Sequence, residues 1–269
     1  MTNPQASPAH PNGEVVIGDM EHDGRVILYI IKADETSYIN YIKPLILAAE
    51  LDLPHVLSVI DTKDQWFYQI HPERMVPSLK DKDPVTGEEI IVFEGTACLQ
   101  YLADRFDTEG VWTGKTAFEK GNVYAWTAYQ TAGIGSVVKS AAEVEEDHYI
   151  LMSMRCRATA KYWLYFLRGY PTRANPEQLP KTIKKLHENT VKQWDILEAR
   201  LSLPNQNYIA LKDRPTLADL SYFPFAMPWM FKFLGVDIKS WPAIENWSKK
   251  MLARKTVNDV MERAPMFGH

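Results

Sequence analysis

The residues whose types and spacing could do chemistry lie between Ile70 and Phe106. Met75-Val76-Pro77-Ser78-Leu79 has the apolar character of a strand starting at Met75, but carries a proline in its middle. Proline has no N–H to give to a ladder, so Pro77 belongs at a sheet edge or in a special turn, and a cis Val76-Pro77 bond would turn the Val76 main chain outward. An outward-facing N–H and C=O pair can grip another peptide backbone as an added strand. After a turn at Asp81 to Gly87, Glu89 to Phe93 returns as a second strand, and Glu94-Gly95-Thr96 opens a helix running to Phe106. The unpaired N–H groups of a helix start favour a carboxylate. Side by side, the two features describe a site for a small anionic peptide.

The elements that must position this site follow from the pattern around it. Val26 to Ile31 is a continuous apolar, β-branched run and reads as a buried strand. A polar connection, Lys32 to Asn40, leads into Tyr41 to Leu51, where Ile42, Leu45, Ile46 and Ala49 fall at helical spacing and Pro44 fits a first turn. Val56 to Ile60 is a second strand. Strand, helix and parallel strand make a right-handed βαβ unit. The Pro77 hairpin and its helix add a ββα unit, so residues 25–106 are expected to form a thioredoxin-like α/β domain.

Gly110 and Gly114 mark a linker over 107–116. From there the pattern is helical: Phe118 to Ser140, Val144 to Arg168, Pro180 to Leu201, Leu217 to Leu234 and Trp241 to Arg263. Residues 117–263 are therefore expected to form an all-α helical-bundle domain, with a tail over 264–269. Thr216 and Asp219 form a capping box ahead of an apolar run, a structural signal. Residues 1–24, rich in Pro, Asn, Gly and Ala without periodicity, read as a flexible arm or surface strap.

A length of 269 residues gives room for one large domain or two ordinary ones. Hydrophobic content of 46% and charged content of 24% are those of a globular protein, and a net charge of -4 lacks the basic excess of a nucleic-acid surface. The apolar stretch at Val26 to Ile31 is far too short to span a membrane, and no charged segment followed by an apolar one opens the sequence. Two cysteines, Cys98 and Cys156, give neither a metal cluster nor a disulfide framework. The expectation is a cytoplasmic protein with no metal and no nucleic-acid or membrane partner. Cys98 reads as a small buried hydrophobe behind the Glu94 turn.

His71-Pro72-Glu73-Arg74-Met75-Val76-Pro77-Ser78-Leu79 resembles the Asn-Pro-x-x-x-Val-Pro-x-Leu stretch of glutathione transferases. Phe93-Glu94-Gly95-Thr96-Ala97-Cys98-Leu99-Gln100-Tyr101-Leu102 is similar to their Glu-Ser-x-x-Ile-x-x-Tyr-Leu stretch, in the same order and spacing. Tyr208-Ile209-Ala210, the Thr216 box and Trp241-Pro242-Ala243-Ile244-Glu245-Asn246-Trp247 continue the resemblance, which covers Val26 to Met261.

The resemblance implies glutathione as co-substrate, a small-molecule electrophile as acceptor, and a homodimer. A free thiol of this kind has a pKa of roughly 8.5 to 9, so such an enzyme must favour the thiolate. A hydroxyl or amide donor near a helix start does so by stabilising charge on sulfur. Matching Ala49-Glu50-Leu51-Asp52-Leu53-Pro54 to the family's Glu-Glu-Leu-Gly-Leu-Pro sets Asn40 and Lys43 on the Asn and Lys of the nu-like branch's Thr-Pro-Asn-Gly-Trp-Lys. Tyr38 stands where that branch has Thr. Asn40 and Tyr38 are thus the leading thiolate donors, ahead of Ser37 and Thr36. Ile39 and Tyr41 depart from the branch's Pro and Gly.

By the same resemblance, Val76 beside Pro77 offers main-chain bonds to the cysteinyl segment, and Glu94 pairs with the γ-glutamyl ammonium. Gly95 stands where the family has a carboxylate-binding Ser; Thr96 is placed to substitute. His71, Arg74 and Gln65 are candidates for the glycyl end. Tyr129, Gln130 and Tyr124, on a stretch similar to the branch's Trp-x-x-x-Gln-x-x-Gly-x-Gly, are candidates for the acceptor pocket. An aromatic wall suits a planar or bulky electrophile. Residues 147–180 read as an insertion that reshapes pocket access or the dimer surface. Two other readings stay open: a non-catalytic binding or regulatory member, favoured by Gly95 and Ile39, and a glutathione-dependent disulfide reductase or isomerase.

Overall fold

The computed structural model describes residues 13–33, 38–133, 180–233 and 235–269. The chain divides into two compact units, one running to Leu102 and taking in Val260–His269, the other Ala103–Asp259.

The first unit is built on a five-stranded sheet: β1 (Glu14–Ile17), β2 (Val26–Ile31), β3 (His55–Ile60), β4 (Ser78–Lys82) and β5 (Glu89–Phe93), in the order β1-β3-β2-β4-β5. β2 lies parallel to β3 and antiparallel to β4, with Leu28 opposite Leu57 and Leu79. Helix α1 (Tyr38–Glu50) joins β2 to β3, and α2 (Gly95–Phe106) follows β5. The expected thioredoxin-like order is present. β3 is buried throughout and β2 along all but its last residue, as a central strand covered on both faces must be. Tyr29, Phe67 and Ile70 pack with Ile27 and Ile60 into one apolar cluster.

The stretch read as a flexible arm or surface strap contains a strand. Glu14–Ile17, placed by composition in a flexible arm, is an edge strand parallel to β3, with Val15 opposite Leu57. The segment after it is tied down by polar side chains: Lys80 Nζ donates to Asp19 at 3.0 Å, and the His22 ring meets Asp81 at 3.3 Å. At the other end the tail docks beside β2. Ala33 N–H donates to the Phe267 carbonyl at 2.8 Å, and the His269 ring meets the Ala33 carbonyl at 2.7 Å.

In the second unit, α3 (Ala117–Ala132), α4 (Pro180–Leu201), α5 (Leu217–Tyr222), α6 (Pro228–Phe233) and α7 (Pro242–Leu252) are followed by α8 (Lys255–Arg263), which runs into the first unit. The helix expected over Leu217 to Leu234 is broken into α5, a short 3-10 turn at Phe223–Ala226 and α6. Pro224 and Pro228 remove the donors that a continuous helix needs. Residues 107–116 form a bonded loop in which Asp107 accepts the N–H groups of Val111, Trp112 and Thr113 at 2.9, 2.7 and 3.1 Å. A Cβ at Gly114 would lie 2.7 Å from Lys120 N, which is why that position has no side chain. The capping box holds, and Asp219 does more than cap. Its carboxylate accepts Thr216 N–H at 2.8 Å, Ile209 N–H at 2.9 Å and the Trp247 indole at 2.9 Å. The helix expected over Val144 to Arg168 and most of the 147–180 insertion lie outside the described residues.

Candidate functional site

Helix α1 begins at Tyr38 rather than Tyr41, so Pro44 sits inside it and cannot donate to the Asn40 carbonyl. Both leading thiolate donors are in its first turn. Asn40 is half-buried, whereas Tyr38 is 8% exposed and burial pushes its phenol up, keeping it protonated. Ser37 and Thr36 lie outside the described residues. Lys43, on the same helix, is buried among apolar neighbours and its Nζ lies 3.4 Å from Asn40 Oδ1.

The Val76-Pro77 bond is cis. β4 starts only after it, at Ser78 opposite Phe93, so Val76 stands just outside the ladder while its half-buried side chain packs on the Tyr29 cluster. Ser78 Oγ donates back to the Met75 carbonyl at 2.9 Å and closes the bend. Glu94, exposed between β5 and α2, has φ +74, a left-handed conformation that costs a non-glycine residue free energy and recurs at functional sites. Its carbonyl accepts Cys98 N–H at 2.9 Å, which starts α2.

These segments meet at Gly95. A Cβ built there would lie 3.4 Å from Lys43 Nζ and 3.4 Å from Pro77 Cγ. The start of α1, the proline bend and the start of α2, far apart in the chain, are thus within a few bond lengths of one another. Thr96 follows, half-buried, in the first turn of α2. Lys43 lies at this meeting point, and the sequence reading left it out of its binding set. The signal was available: a lysine inside the apolar run Tyr38 to Ala48. Burial lowers its ammonium to about 8 against the opposing influence of Glu94 and Cys98.

The three residues considered for a glycyl end are placed differently. His71 is buried, its ring against Phe93 at 5.0 Å, and its Nδ1 accepts Glu73 N–H at 3.0 Å. Arg74, at φ +52, lies over the Tyr68 ring and donates to the Lys63 carbonyl at 3.1 Å. Exposed Gln65 reaches that carbonyl at 3.5 Å. Arg74 and Gln65 thus share the Lys63 carbonyl, while His71 is buried against Phe93.

On α3, Tyr124 and Tyr129 are exposed, while Gln130 belongs to the buried stripe Val123, Thr127 and Gln130. The Trp126 ring lies 6.0 Å from Tyr129 and 6.5 Å from Tyr222. The acceptor candidates thus fall on two faces of one helix. Cys98 is buried with its thiol pushed up by desolvation, which leaves it inert, and Cys156 is outside the described residues. Among the described residues no cluster of His, Cys, Asp or Glu could hold a metal, and no helix is long and apolar enough to cross a membrane.

A sheet of this order joined to a helical unit, with a cis-proline bend beside a helix start, is the architecture of a glutathione transferase. A sequence model of the glutathione S-transferase C-terminal domain matches residues 152–255. The chain is 68% identical over 250 residues to the glutathione S-transferase aclG of Aspergillus oryzae, covering 93% of this chain and 100% of that one. It is 37% identical to the glutathione S-transferase sirG of Leptosphaeria maculans over 90% of this chain and 92% of that protein. It is also 58% identical to the trimodular acetylaranotin synthesis protein ataIMG of Aspergillus terreus, over 88% of this chain and 21% of that longer protein. The chain belongs to the glutathione S-transferase family. Among solved structures, a Lodderomyces elongisporus homologue holding two glutathione molecules per subunit superposes with TM-score 0.67 at 23% identity, covering 90% of this chain and 99% of that one. A Phanerochaete chrysosporium glutathione transferase with oxidized glutathione gives 0.69 at 22% identity, covering 92% and 98%. Both share the fold.

Proposed function

We propose that this protein is a glutathione transferase that activates the glutathione thiolate for attack on a small, aromatic or bulky electrophile in specialised metabolism. The observation that carries the reading is the convergence at Gly95, which gathers Asn40, Lys43, Pro77 and the start of α2 around one place. Val76 offers its main chain to the cysteinyl segment as an added strand. The first turn of α2 and exposed Glu94 take the charged γ-glutamyl end. Asn40 is the thiolate donor: it is more accessible than Tyr38, and an amide N–H stabilises charge on sulfur as it forms. Tyr124 and Tyr129 offer apolar surface to the acceptor. The glutathione held by the solved neighbours and the acetylaranotin synthesis for which one relative is named support the co-substrate and the metabolic setting. A cytoplasmic homodimer is the form proposed.

The test is turnover with glutathione and a halodinitrobenzene. Asn40→Ala should lower kcat/KM on the order of tenfold to a hundredfold, the cost of removing one preorganised donor. Unaltered turnover in Asn40→Ala would remove Asn40 from the chemistry. No turnover by the wild type with any electrophile tried, despite glutathione binding, would leave a non-catalytic member of the family.

A further inference from the structure

Lys43 is 5% exposed and sits on α1 between the fully buried Ile42 and Leu45. An ammonium in such surroundings is unfavourable unless charged or strongly polar groups compensate it. Two distances locate what it faces. Its Nζ is 3.4 Å from Asn40 Oδ1, so the lysine lies against the thiolate donor. The same Nζ is 3.4 Å from the point where a side chain on Gly95 would begin, and the other nearest atoms to that point are Pro77 Cγ at 3.4 Å and Lys43 Cε at 3.5 Å. That point is therefore a carbon-sized gap, walled by an ammonium and a proline ring, at the first turn of a twelve-residue helix. Gly95 has no positive φ, so its lack of a side chain is not demanded by the backbone there.

We infer that Lys43 is the cation that binds the α-carboxylate of the γ-glutamyl end of glutathione, reached through the gap that Gly95 leaves open. The inference rests on the glutathione reading of this site and adds the residue that makes a glycine workable at position 95. A hydroxyl there could donate one hydrogen bond to a carboxylate. An ammonium in the same place supplies charge as well, which makes the stronger contact. Lys43 touches the thiolate donor on one side and the gap on the other, so one buried charge serves both ends of the ligand's polar recognition.

Among the groups facing Lys43 are Asn40 from α1, Glu94 from the turn and Cys98 from α2. Cys98 is held neutral by burial, and the charge of Glu94 opposes the desolvation of Lys43. A bound carboxylate would draw the Lys43 ammonium back toward its ordinary range from about 8. Ligand binding through this residue then takes up protons above pH 8, and affinity falls as pH rises past that value.

The experiment is a cycle between protein and ligand on the full chain. Glutathione and γ-aminobutyryl-cysteinylglycine, which lacks only the carboxylate in question, are titrated calorimetrically into the wild type, Lys43→Met and Lys43→Gln. Circular dichroism confirms that each variant is folded. The wild-type preference for glutathione should exceed that of either variant by about tenfold or more, the size of a hydrogen bond to a charged group. Adding Gly95→Ser to Lys43→Met should restore part of the preference, and the wild-type preference should shrink above pH 8 while that of Lys43→Met stays flat. Preferences equal within about twofold in a folded Lys43→Met and the wild type would overturn the assignment. A wild type that binds neither peptide would instead overturn the glutathione reading itself.

Discussion

Replacing Lys43 by Met should stabilise the protein, and the amount follows from where the ammonium sits. Burial lowers its pKa from the ordinary 10.5 to about 8, a gap of roughly 2.5 pH units. Each unit corresponds to about 1.4 kcal/mol, so the charged side chain costs the fold roughly 3 kcal/mol below pH 8. Loss of the contact to Asn40 offsets about 1 kcal/mol of that gain, leaving Lys43→Met more stable by about 2 kcal/mol at pH 7. The sign reverses the usual lysine case. Between about pH 8 and 10.5 the unfolded chain carries a proton that the folded chain lacks, so wild-type stability rises with pH across that window. The advantage of Lys43→Met must therefore shrink as pH rises. Urea denaturation followed by far-ultraviolet circular dichroism at pH 7 and about pH 9.5 measures both effects. A Lys43→Met protein less stable than the wild type at pH 7, with a difference that does not change at the higher pH, would refute the reasoning. A residue that destabilises the free protein is what selection for ligand binding would retain.

Other perturbations are read as directly. Asp219→Ala leaves the Ile209, Thr216 and Trp247 N–H groups buried without their acceptor and should cost about 3 to 6 kcal/mol in a denaturation experiment. Asp219→Asn should cost less. Burial pushes the Asp219 carboxyl up to about 6, so its contribution is full below the ordinary carboxylate range and is lost as pH rises through 6. The Asp219→Asn penalty should accordingly be larger at pH 5 than at pH 7, as denaturation at the two pH values would show. Deleting Phe267 to His269 removes both contacts to the Ala33 main chain, from the Phe267 carbonyl at 2.8 Å and the His269 ring at 2.7 Å, and with them the anchor after β2. A loss of about 1 to 3 kcal/mol in stability and a raised KM for glutathione are expected from thermal unfolding and steady-state kinetics.

What could be read in the sequence was whatever depends on local pattern. β2 and β3 are continuous apolar runs, and a central strand covered on both faces can be little else. Pro77, the β5 return and the α2 start carry turn and helix signals that do not need the rest of the fold. The capping box at Thr216 was legible for the same reason, although the reach of Asp219 to Ile209 and Trp247 was not. β1 escaped because an edge strand of four residues alternates burial too briefly to stand out from a Pro- and Gly-rich stretch. The α1 start was set late because Pro44 was given a first-turn place, and the helix tolerates it further in. Lys43 was matched to a family position but its burial depends on residues from three separate segments, which no local pattern reports. Tyr129 and Gln130 were grouped because their stretch resembles a family pattern, yet a helix turns successive residues about 100° apart, onto different faces.

The central claim is that the start of α1 activates a glutathione thiol held at the Val76-Pro77 bend. The most direct measurement is calorimetric titration with glutathione, paired with a thiolate absorbance scan against pH, on the wild type, Asn40→Ala and Tyr38→Phe. Binding in the wild type is predicted, with the bound thiol pKa below its free value of roughly 8.5 to 9. That pKa should return toward the free value in Asn40→Ala and stay lowered in Tyr38→Phe. No binding at millimolar glutathione, or a bound thiol that titrates as it does free in solution, would contradict the account.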